Sequence, residues 1–391
     1  MNARLEAVPY PRFSDAEYAR RWTAIGELRA AHDLDALVVY GTSAARHDIA
    51  FLTSWGPRQE GYVVIGGDEP PALFVQLYNH VPTARLMAAV DHVEWAGGDS
   101  AATVARDLRG RGTLRRVGLV GAIPYQAHGR LAATLAGIEL VDATPFFRRM
   151  RLVKSAEEIA WTRRGAELCD VAMRALVAEA RPGLAEYELG ALVEAAYGRL
   201  GGGHGICFIA TAPMTGGGRY VPSQHWSERR LAAGDAVLIE LSAGIGGYTG
   251  QVLRTIAVDG EPPAAFRHLH DVAEEAFAAI AAAVRPGAAA ASLLEAAGLI
   301  DRAALTVCDD VVHGYGGGYL PPVLRTPATM HGPPPDIVLR PGMMVVVQPN
   351  VIAPDGSMGV QTGELLLVTE TGSESLHALA RGLLRAGARD V

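Results

Sequence analysis

Two polar side chains, Glu240 and Gln251, are spaced so that they could do chemistry together. Glu240 lies in the run VLIEL and Gln251 begins the run QVLRTIAV, and the glycine-rich stretch from Gly244 to Gly250 separates them. Such a stretch permits a tight reversal between two strands, so the two side chains could meet on one face. The amide offers both a donor and an acceptor, which suits a polar substrate. This segment therefore predicts part of a functional site.

Five ordered motifs surround and include this segment. They are RLVKSAEEI at 151–159, GDAVLIE at 234–240, HGYG at 313–316, PGM at 341–343 with QP at 348–349, and the segment 359–369. In this order they resemble the creatinase, aminopeptidase P and methionine aminopeptidase group, peptidase family M24, over nearly the whole chain. The resemblance implies an α/β (α+β) protein with an N-terminal creatinase-like domain in 1–155 and a C-terminal pita-bread catalytic domain in 156–391.

The resemblance also implies a ligand set that this chain largely lacks. Relatives are expected to bind two divalent ions through two Asp, one His and two Glu, and these positions fall on Glu240, Gln251, His313, Gln348 and Gly363. One carboxylate, one imidazole and two neutral amides offset little of the charge of two divalent ions, which favour carboxylate, nitrogen or sulfur ligands. The residues predict no metal and no other cofactor.

Glu364 follows Gly363 and could replace the missing carboxylate. A shift of one residue along a strand turns the side chain to the opposite face of the sheet. Glu364 therefore reaches the site only if a bulge at Gly363 redirects it, a role that strand glycines often have. We include Glu364 as a predicted substrate-binding residue on that condition.

Creatinase is the relative expected to hydrolyse a C–N bond without metal, using a histidine and carboxylates. By this resemblance we predict a metal-independent, creatinase-like hydrolase of a small amide, amidine or urea-type substrate. His225 is the predicted general base, because histidine titrates near neutral pH. Glu240 is predicted to orient that base or stabilise charge, and His313 to act as acid or hydrogen-bond donor. Gln251 and Gln348 are predicted to hold the substrate.

The segment from Gly316 to Asp336 is dense in glycine and proline and could form a stiff wall beside the site. We predict that Tyr315 lines the pocket and that Arg325 pairs with a substrate carboxylate through its planar guanidinium group.

Three alternatives stay open. The first is an Xaa-Pro aminopeptidase or dipeptidase of the metal-dependent kind, which simple resemblance suggests. The second is a lyase that uses the same base to abstract a proton from its substrate. The third is a non-catalytic protein that binds an extended peptide without turnover.

The N-terminal part alternates hydrophobic strands with helical stretches. The predicted strands are ALVVYG, YVVIGG, ALFVQL, RVGLVG and LVDATP. In relatives this domain lends side chains across a dimer, so we predict a homodimer in which loop residues reach the partner's site; the candidates are Arg46, His47, Glu60 and His80. Farther along, helices are predicted at 157–180, 186–199 and 263–284.

Composition excludes several classes of protein. The 391 residues carry a formal charge of -7, which argues against nucleic-acid binding because that depends on clustered Lys and Arg. No run approaches the ~18 apolar residues of a membrane span, and the first residues have no apolar leader segment. Cys169, Cys207 and Cys308 show no pairing or metal-binding spacing, so reduced thiols and a cytoplasmic location are expected.

Overall fold

A computed structural model describes residues 10–387 apart from 68, 328, 330 and 331. The chain divides into two compact units, Met1–Arg151 and Leu152–Val391, which we call unit 1 and unit 2. Within the part of the chain that the structure describes, no helix combines the length and apolar character needed to span a bilayer.

Unit 1 is an α/β unit built on a six-stranded sheet. Its strands are β1 (Ala36–Gly41), β2 (Gly61–Gly66), β3 (Glu69–Val75), β4 (His92–Trp95), β5 (Arg116–Val120) and β6 (Glu139–Asp142). Its helices are α1 (Asp15–Ala31), α2 (His47–Thr53), α3 (Val81–Met87), α4 (Ser100–Gly110), α5 (Tyr125–Thr134) and α6 (Thr144–Met150), with a 3₁₀ turn at Tyr78–His80.

The sheet order in unit 1 is β4-β3-β2-β1-β5-β6. β1 is parallel to β5 and antiparallel to β2, and β2 is antiparallel to β3, so β2 alone runs against the other strands. All six residues of β1 are buried, as expected for a strand covered on both faces. The carboxyl ends of the other five strands therefore share one edge of the sheet.

In its described residues, unit 2 contains a larger, mostly antiparallel sheet and five helices. Its strands are β7 (Gly203–Pro213), β8 (Asp235–Ile245), β9 (Tyr248–Thr249), β10 (Val252–Ala257), β11 (Thr306–Val307), β12 (Asp310–Gly314), β13 (Leu320–Arg325), β14 (Met344–Val347), β15 (Val351–Ile352), β16 (Gly363–Val368), β17 (Ser373–Ser375) and β18 (Leu384–Arg385). Its helices are α7 (Ala156–Glu179), α8 (Glu186–Gly198), α9 (Ala264–Ala283), α10 (Ala290–Ala297) and α11 (Leu299–Arg302).

The main sheet of unit 2 runs in the order β13-β12-β14-β16-β10-β8-β7. The alternation of side chains along β8 sends Ala236 and Leu238 into a core with α9, and Val237, Ile239 and Leu241 into a second core with α7 and α8. Both faces of β8 are therefore largely buried. Polar side chains on this strand must be paired or face a cavity.

Helix α7 begins with a capping box and lies against the hairpin that follows β8. The Ser155 Oγ accepts from the Glu158 amide at 3.2 Å, and the Glu158 carboxylate accepts from the Ser155 amide at 3.0 Å. The Tyr248 hydroxyl donates to the same carboxylate at 2.7 Å. A Cβ added at Gly165 would lie 2.6 Å from the Gly250 nitrogen, so helix and hairpin touch backbone to backbone.

Candidate active site

Glu240 and Gln251 meet on one face of the β8–β10 pair. Ile245 pairs with Tyr248 across Gly246 and Gly247, whose φ angles of +57° and +86° suit a two-residue hairpin turn. Glu240 lies opposite Leu253, two residues after Gln251, so both polar side chains point the same way. The Gln251 Nε2 donates to the Glu240 Oε1 at 2.7 Å.

Gln348 joins this pair from the end of β14. The Gln251 Nε2 also lies 3.5 Å from the Gln348 Oε1, and the Gln348 Nε2 donates to the Asp310 carbonyl at 3.2 Å. A second contact of 3.4 Å links the same nitrogen to the Asp309 Oδ2. The two amides therefore connect the β8–β10 hairpin to the start of β12.

His313 stands on β12 beside Gln348. Its side chain is 1% exposed, its Nδ1 lies 3.2 Å from the Gly314 carbonyl, and its ring stacks on Tyr319 at 4.1 Å. Burial lowers the pKa of His313 to about 4, so the ring is neutral near pH 7. Because Nδ1 donates its proton to a carbonyl, Nε2 is the acceptor of the neutral ring.

Asp309 and Asp310 are site residues that the sequence reasoning missed. Asp310 is buried and accepts from the Tyr319 hydroxyl at 2.8 Å, whereas Asp309 keeps partial contact with solvent. Burial and the neighbouring Asp310 carboxyl raise the pKa of Asp309 to about 6. The sequence signal that could have identified them is the pair of adjacent acidic residues shortly before His313. This segment has no hydrophobic periodicity that would have predicted its place in the fold.

Glu240 is surrounded by protein yet retains some solvent contact. Burial raises its pKa to about 8, and the Asp309 and Asp310 carboxylates act in the same direction, while the hydrogen bond from Gln251 opposes them. Near neutral pH this carboxyl is therefore mostly protonated. An acid and a carboxylate with separated pKa values are the pattern of an acid–base pair.

We expect Glu240→Gln to be more stable than the wild-type chain at pH 8 and similar at pH 4.5. The folded protein holds the Glu240 proton up to about pH 8 and the unfolded chain releases it near 4.5, so wild-type stability falls as pH rises through this window. The difference should reach about 4 kcal/mol at pH 8, because the pKa rises from 4.5 to about 8 on folding and each pKa unit corresponds to roughly 1.4 kcal/mol. Urea unfolding at several pH values measures it. The exposed Glu370→Gln is the control, and a difference that does not vary with pH would contradict the expectation.

Glu364 does not join this cluster, so its predicted contact with substrate is corrected. It pairs in regular register with Val252 and Val347, without a bulge at Gly363, and therefore faces the side of the sheet opposite to Glu240. The Arg254 Nη2 donates to the Glu364 Oε2 at 2.5 Å, and both side chains are buried. Burial would raise the pKa of Glu364, but Arg254 and Arg381 lower it.

Gly363 has no room for a side chain. It lies opposite Leu253, on the face of Glu240 and Gln251, where the sequence resemblance placed a carboxylate. A Cβ added there would lie 2.5 Å from the Val347 carbonyl oxygen and 2.9 Å from the Gln348 Cα. The backbone at the end of β14 thus occupies the space that the carboxylate side chain of a metal-binding relative would need.

Three predicted residues lie at or beyond the edge of the cluster. His225 is exposed, and its hydrogen bonds join its backbone to Ser223. The Tyr315 hydroxyl is already bonded to Thr249 at 2.7 Å and to Ser242 at 3.1 Å, so it secures the hairpin. Arg325 is exposed at the end of β13, opposite Asp310. Roles for His225 and Arg325 in catalysis and binding stay predictions.

The side chains in this cluster do not fit a pair of divalent cations. The Gln251 amide turns its nitrogen toward Glu240, Gly363 has no side chain, and Glu364 is held by Arg254. Among the described residues, no group of three or more His, Cys, Asp or Glu side chains is arranged to hold a metal ion. The arrangement can bind polar groups and exchange protons.

Solved structures of prolidases share this fold. The prolidase of Pyrococcus horikoshii matches with a TM-score of 0.79 and 22% identity, covering 93% of this chain and 100% of that one. The prolidase of Thermococcus sibiricus matches with a TM-score of 0.82 and 17% identity, covering 96% and 100%. The predicted fold class, a creatinase-like unit followed by a pita-bread unit, is confirmed.

Sequence relatives are peptidases by name. The Xaa-Pro aminopeptidase of Escherichia coli is 29% identical over 267 residues, which cover 61% of this chain and 59% of that protein. The Xaa-Pro dipeptidase of Pyrococcus furiosus is 25% identical over 337 residues, which cover 86% and 92%. Together these similarities support a hydrolase of the peptidase type.

The prediction of a metal-independent, creatinase-like hydrolase of small amides, amidines or ureas is therefore wrong. The Xaa-Pro aminopeptidase and dipeptidase relatives favour its first alternative, the Xaa-Pro peptidase. The physical reason is that the ligand set of one cluster does not determine which bond a protein cleaves, because substrate choice also depends on the walls and loops around it.

Two family descriptions match the two parts of the chain. "Creatinase/Prolidase N-terminal domain" matches residues 21–153. "Metallopeptidase family M24" matches residues 160–370, which is more than half of the chain. The predicted family is thus confirmed, and the chain belongs to metallopeptidase family M24.

Proposed function

We propose that this protein hydrolyses the peptide bond of short peptides, with Xaa-Pro dipeptides as the first substrates to test. The observation that carries the proposal is the clustering of Glu240, Gln251, His313 and Gln348 on neighbouring strands of the main sheet. It is supported by similarity over 86% of the chain to a protein named Xaa-Pro dipeptidase.

The cluster supplies the proton transfers that hydrolysis needs. Near neutral pH, Asp309 is mostly ionised and takes a proton from water as the water oxygen bonds to the carbonyl carbon. Glu240 keeps its proton and gives it to the leaving amine nitrogen as the C–N bond breaks. The Nε2 of His313 accepts a hydrogen bond from the substrate, and the amides of Gln251 and Gln348 orient it.

The decisive measurement is turnover of Ala-Pro and Gly-Pro by the purified chain, with and without added manganese, cobalt or zinc. We expect His313→Ala to lower kcat/KM by about 100-fold, which is the usual scale for removing a positioned polar group. The exposed His268→Ala is the control in the same unit. His225→Ala in the same series tests its predicted role as base.

Two outcomes would contradict the proposal. One is the absence of hydrolysis for all peptides under every metal condition by a folded wild-type chain. The other is full activity of His313→Ala. Peptide binding without turnover would favour the non-catalytic alternative.

A homodimer in the cytoplasm stays a prediction for this protein. The N-terminal residues that were predicted to reach a partner, Arg46, His47, Glu60 and His80, are all partly buried within unit 1. Burial lowers the pKa of His47 to about 4, and the nearby Arg151 acts in the same direction. Light scattering on the purified chain would test the dimer, and a monomeric mass would refute it.

A further inference from the structure

Tyr319 is a half-exposed aromatic residue that contacts two members of the cluster. Its ring stacks on the His313 ring, with a centroid separation of 4.1 Å and an interplanar angle of 20°. Its hydroxyl donates to the Asp310 Oδ2 at 2.8 Å. Tyr319 is 50% exposed whereas His313 is 1% exposed, so the tyrosine ring covers the histidine and separates it from solvent on that face.

The backbone that carries Tyr319 reverses its direction on glycines. Three consecutive glycines at 316–318 have φ angles of +113°, +61° and +106°, a region of backbone conformation that favours glycine. After this turn the chain returns as β13, and Leu320 pairs with Gly314. The reversal thus brings Tyr319 back beside His313.

The orientation of the His313 ring depends on packing as well as on hydrogen bonds. Its polar neighbours are the Gly314 carbonyl, 3.2 Å from Nδ1, and the Gln348 side chain. Neither is a carboxylate, and the carbonyl belongs to the next residue, so it does not tie the ring to another element. Tyr315 meets the ring edge-on at 5.6 Å, whereas Tyr319 stacks on its face. The stacked ring is therefore the contact that holds the plane of the imidazole.

The Tyr319 ring is itself anchored at its far end. Partial burial and the neighbouring Asp310 carboxylate raise the pKa of Tyr319, so its hydroxyl keeps its proton. The hydroxyl therefore remains a donor to Asp310, whose side chain is buried. A hydrogen bond to an ionised acceptor is stronger than one between neutral groups, so it fixes the tyrosine over the histidine.

We propose that Tyr319 is a positioning residue of the proposed hydrolase, on whose activity this inference rests, and that its ring holds the His313 imidazole with Nε2 toward the substrate. An imidazole that is already held in this plane reaches the geometry for reaction without rearrangement. Tyr319 acts through His313 and exchanges no proton with the substrate.

Steady-state kinetics on Ala-Pro test this role. We expect Tyr319→Leu to lower kcat by about 30-fold and to change KM by less than about twofold, because substrate still binds while the imidazole is aligned less often. Tyr319→Phe keeps the ring, so it should retain at least about a third of the wild-type kcat. The matched control is Tyr187→Leu, since Tyr187 is 45% exposed on α8 in the same unit.

Two kinetic results would overturn the proposal. One is an unchanged kcat in Tyr319→Leu, with or without a rise in KM. The other is an equal loss of kcat in Tyr319→Phe and Tyr319→Leu, which would assign the effect to the hydroxyl and not to the ring. Because Tyr319 is half-exposed, both variants should fold, and circular dichroism verifies this.

Nitrogen-15 NMR of the histidine rings at pH 7 gives a readout that needs no turnover. The His313 signals are those that disappear in His313→Ala. They should show a neutral ring with its proton on Nδ1 in the wild-type chain and in Tyr319→Phe, and a mixture of both tautomers in Tyr319→Leu. The reason is that a ring free to rotate no longer keeps Nδ1 against the Gly314 carbonyl.

The two readouts separate this inference from the proposed function. Identical His313 signals in the wild-type chain and in Tyr319→Leu overturn the inference, whether or not the chain hydrolyses peptides. A change of tautomer in Tyr319→Leu, together with a wild-type chain that hydrolyses no peptide, refutes the proposed function but supports the orientation of His313 by Tyr319.

Discussion

Gly363→Glu should destabilise unit 2 by at least about 3 kcal/mol, although it introduces the residue that the family pattern contains there. The first side-chain carbon would lie 2.5 Å from the Val347 carbonyl oxygen, and 2.9 Å and 3.0 Å from the Gln348 Cα and Cβ. Two of these atoms belong to the backbone at the end of β14 and just beyond it, and they cannot turn aside as a flexible side chain can. The strands must separate, which breaks the β14–β16 ladder.

Urea unfolding of the variant and the wild-type chain measures this effect. Gly363→Ala should show most of it, because the contact is made by the Cβ. Gly372→Ala is the matched control, since a Cβ added at Gly372 has no atom within 4 Å. Equal stability of Gly363→Ala and the wild-type chain would show that β14 can move and that the position tolerates a side chain.

Arg254→Met should destabilise the protein by about 3 kcal/mol. The substitution leaves the buried Glu364 carboxylate without its closest partner, and removing one member of a buried ion pair typically costs 3–5 kcal/mol. Arg381 stays 3.2 Å from the same carboxylate, which places the expected value at the lower end. The Arg254 guanidinium also donates to the Gly363 carbonyl at 2.8 Å, so β16 loses a second contact.

The double variant Arg254→Met with Glu364→Leu separates pairing from packing. Because it removes both charges, we expect it to recover much of the lost stability. Arg385→Met, at an exposed pair with Glu261, should change stability little. If Arg254→Met unfolds at the wild-type urea concentration, the ion pair does not stabilise the fold.

Strong hydrophobic patterns predicted the fold well. ALVVYG coincides with β1, and the helices predicted at 157–180 and 263–284 match α7 and α9 to within one residue at each end. β4 was missed because His92–Trp95 is four residues long and mostly exposed. So short an edge strand forms because it pairs with β3, and this pairing cannot be recognised from the local sequence pattern.

The site residues could be predicted where the alternation of side chains along a strand determines which face each one occupies. Glu240 and Gln251 share a face because the hairpin turn fixes their register. Glu364 was misplaced because a bulge had to be assumed, and the ladder is in fact regular. Asp309 and Asp310 reach the cluster through the pairing of β12 with β14, a contact between distant segments that spacing alone cannot give.

The backbone contact between α7 and the hairpin has a consequence for how this protein can change during evolution. A Cβ added at Gly250 would lie 2.5 Å from the Ala166 Cα, so the backbone at Gly250 packs directly against helix α7. Gln251 is the next residue, and its position is therefore fixed by this contact. Insertions or larger residues at Gly165 or Gly250 would displace Gln251 and its contact with Glu240. New specificities should therefore arise by exchange of residues beside the cluster, such as Tyr319 and Arg325, while the Gly165–Gly250 contact is inherited unchanged.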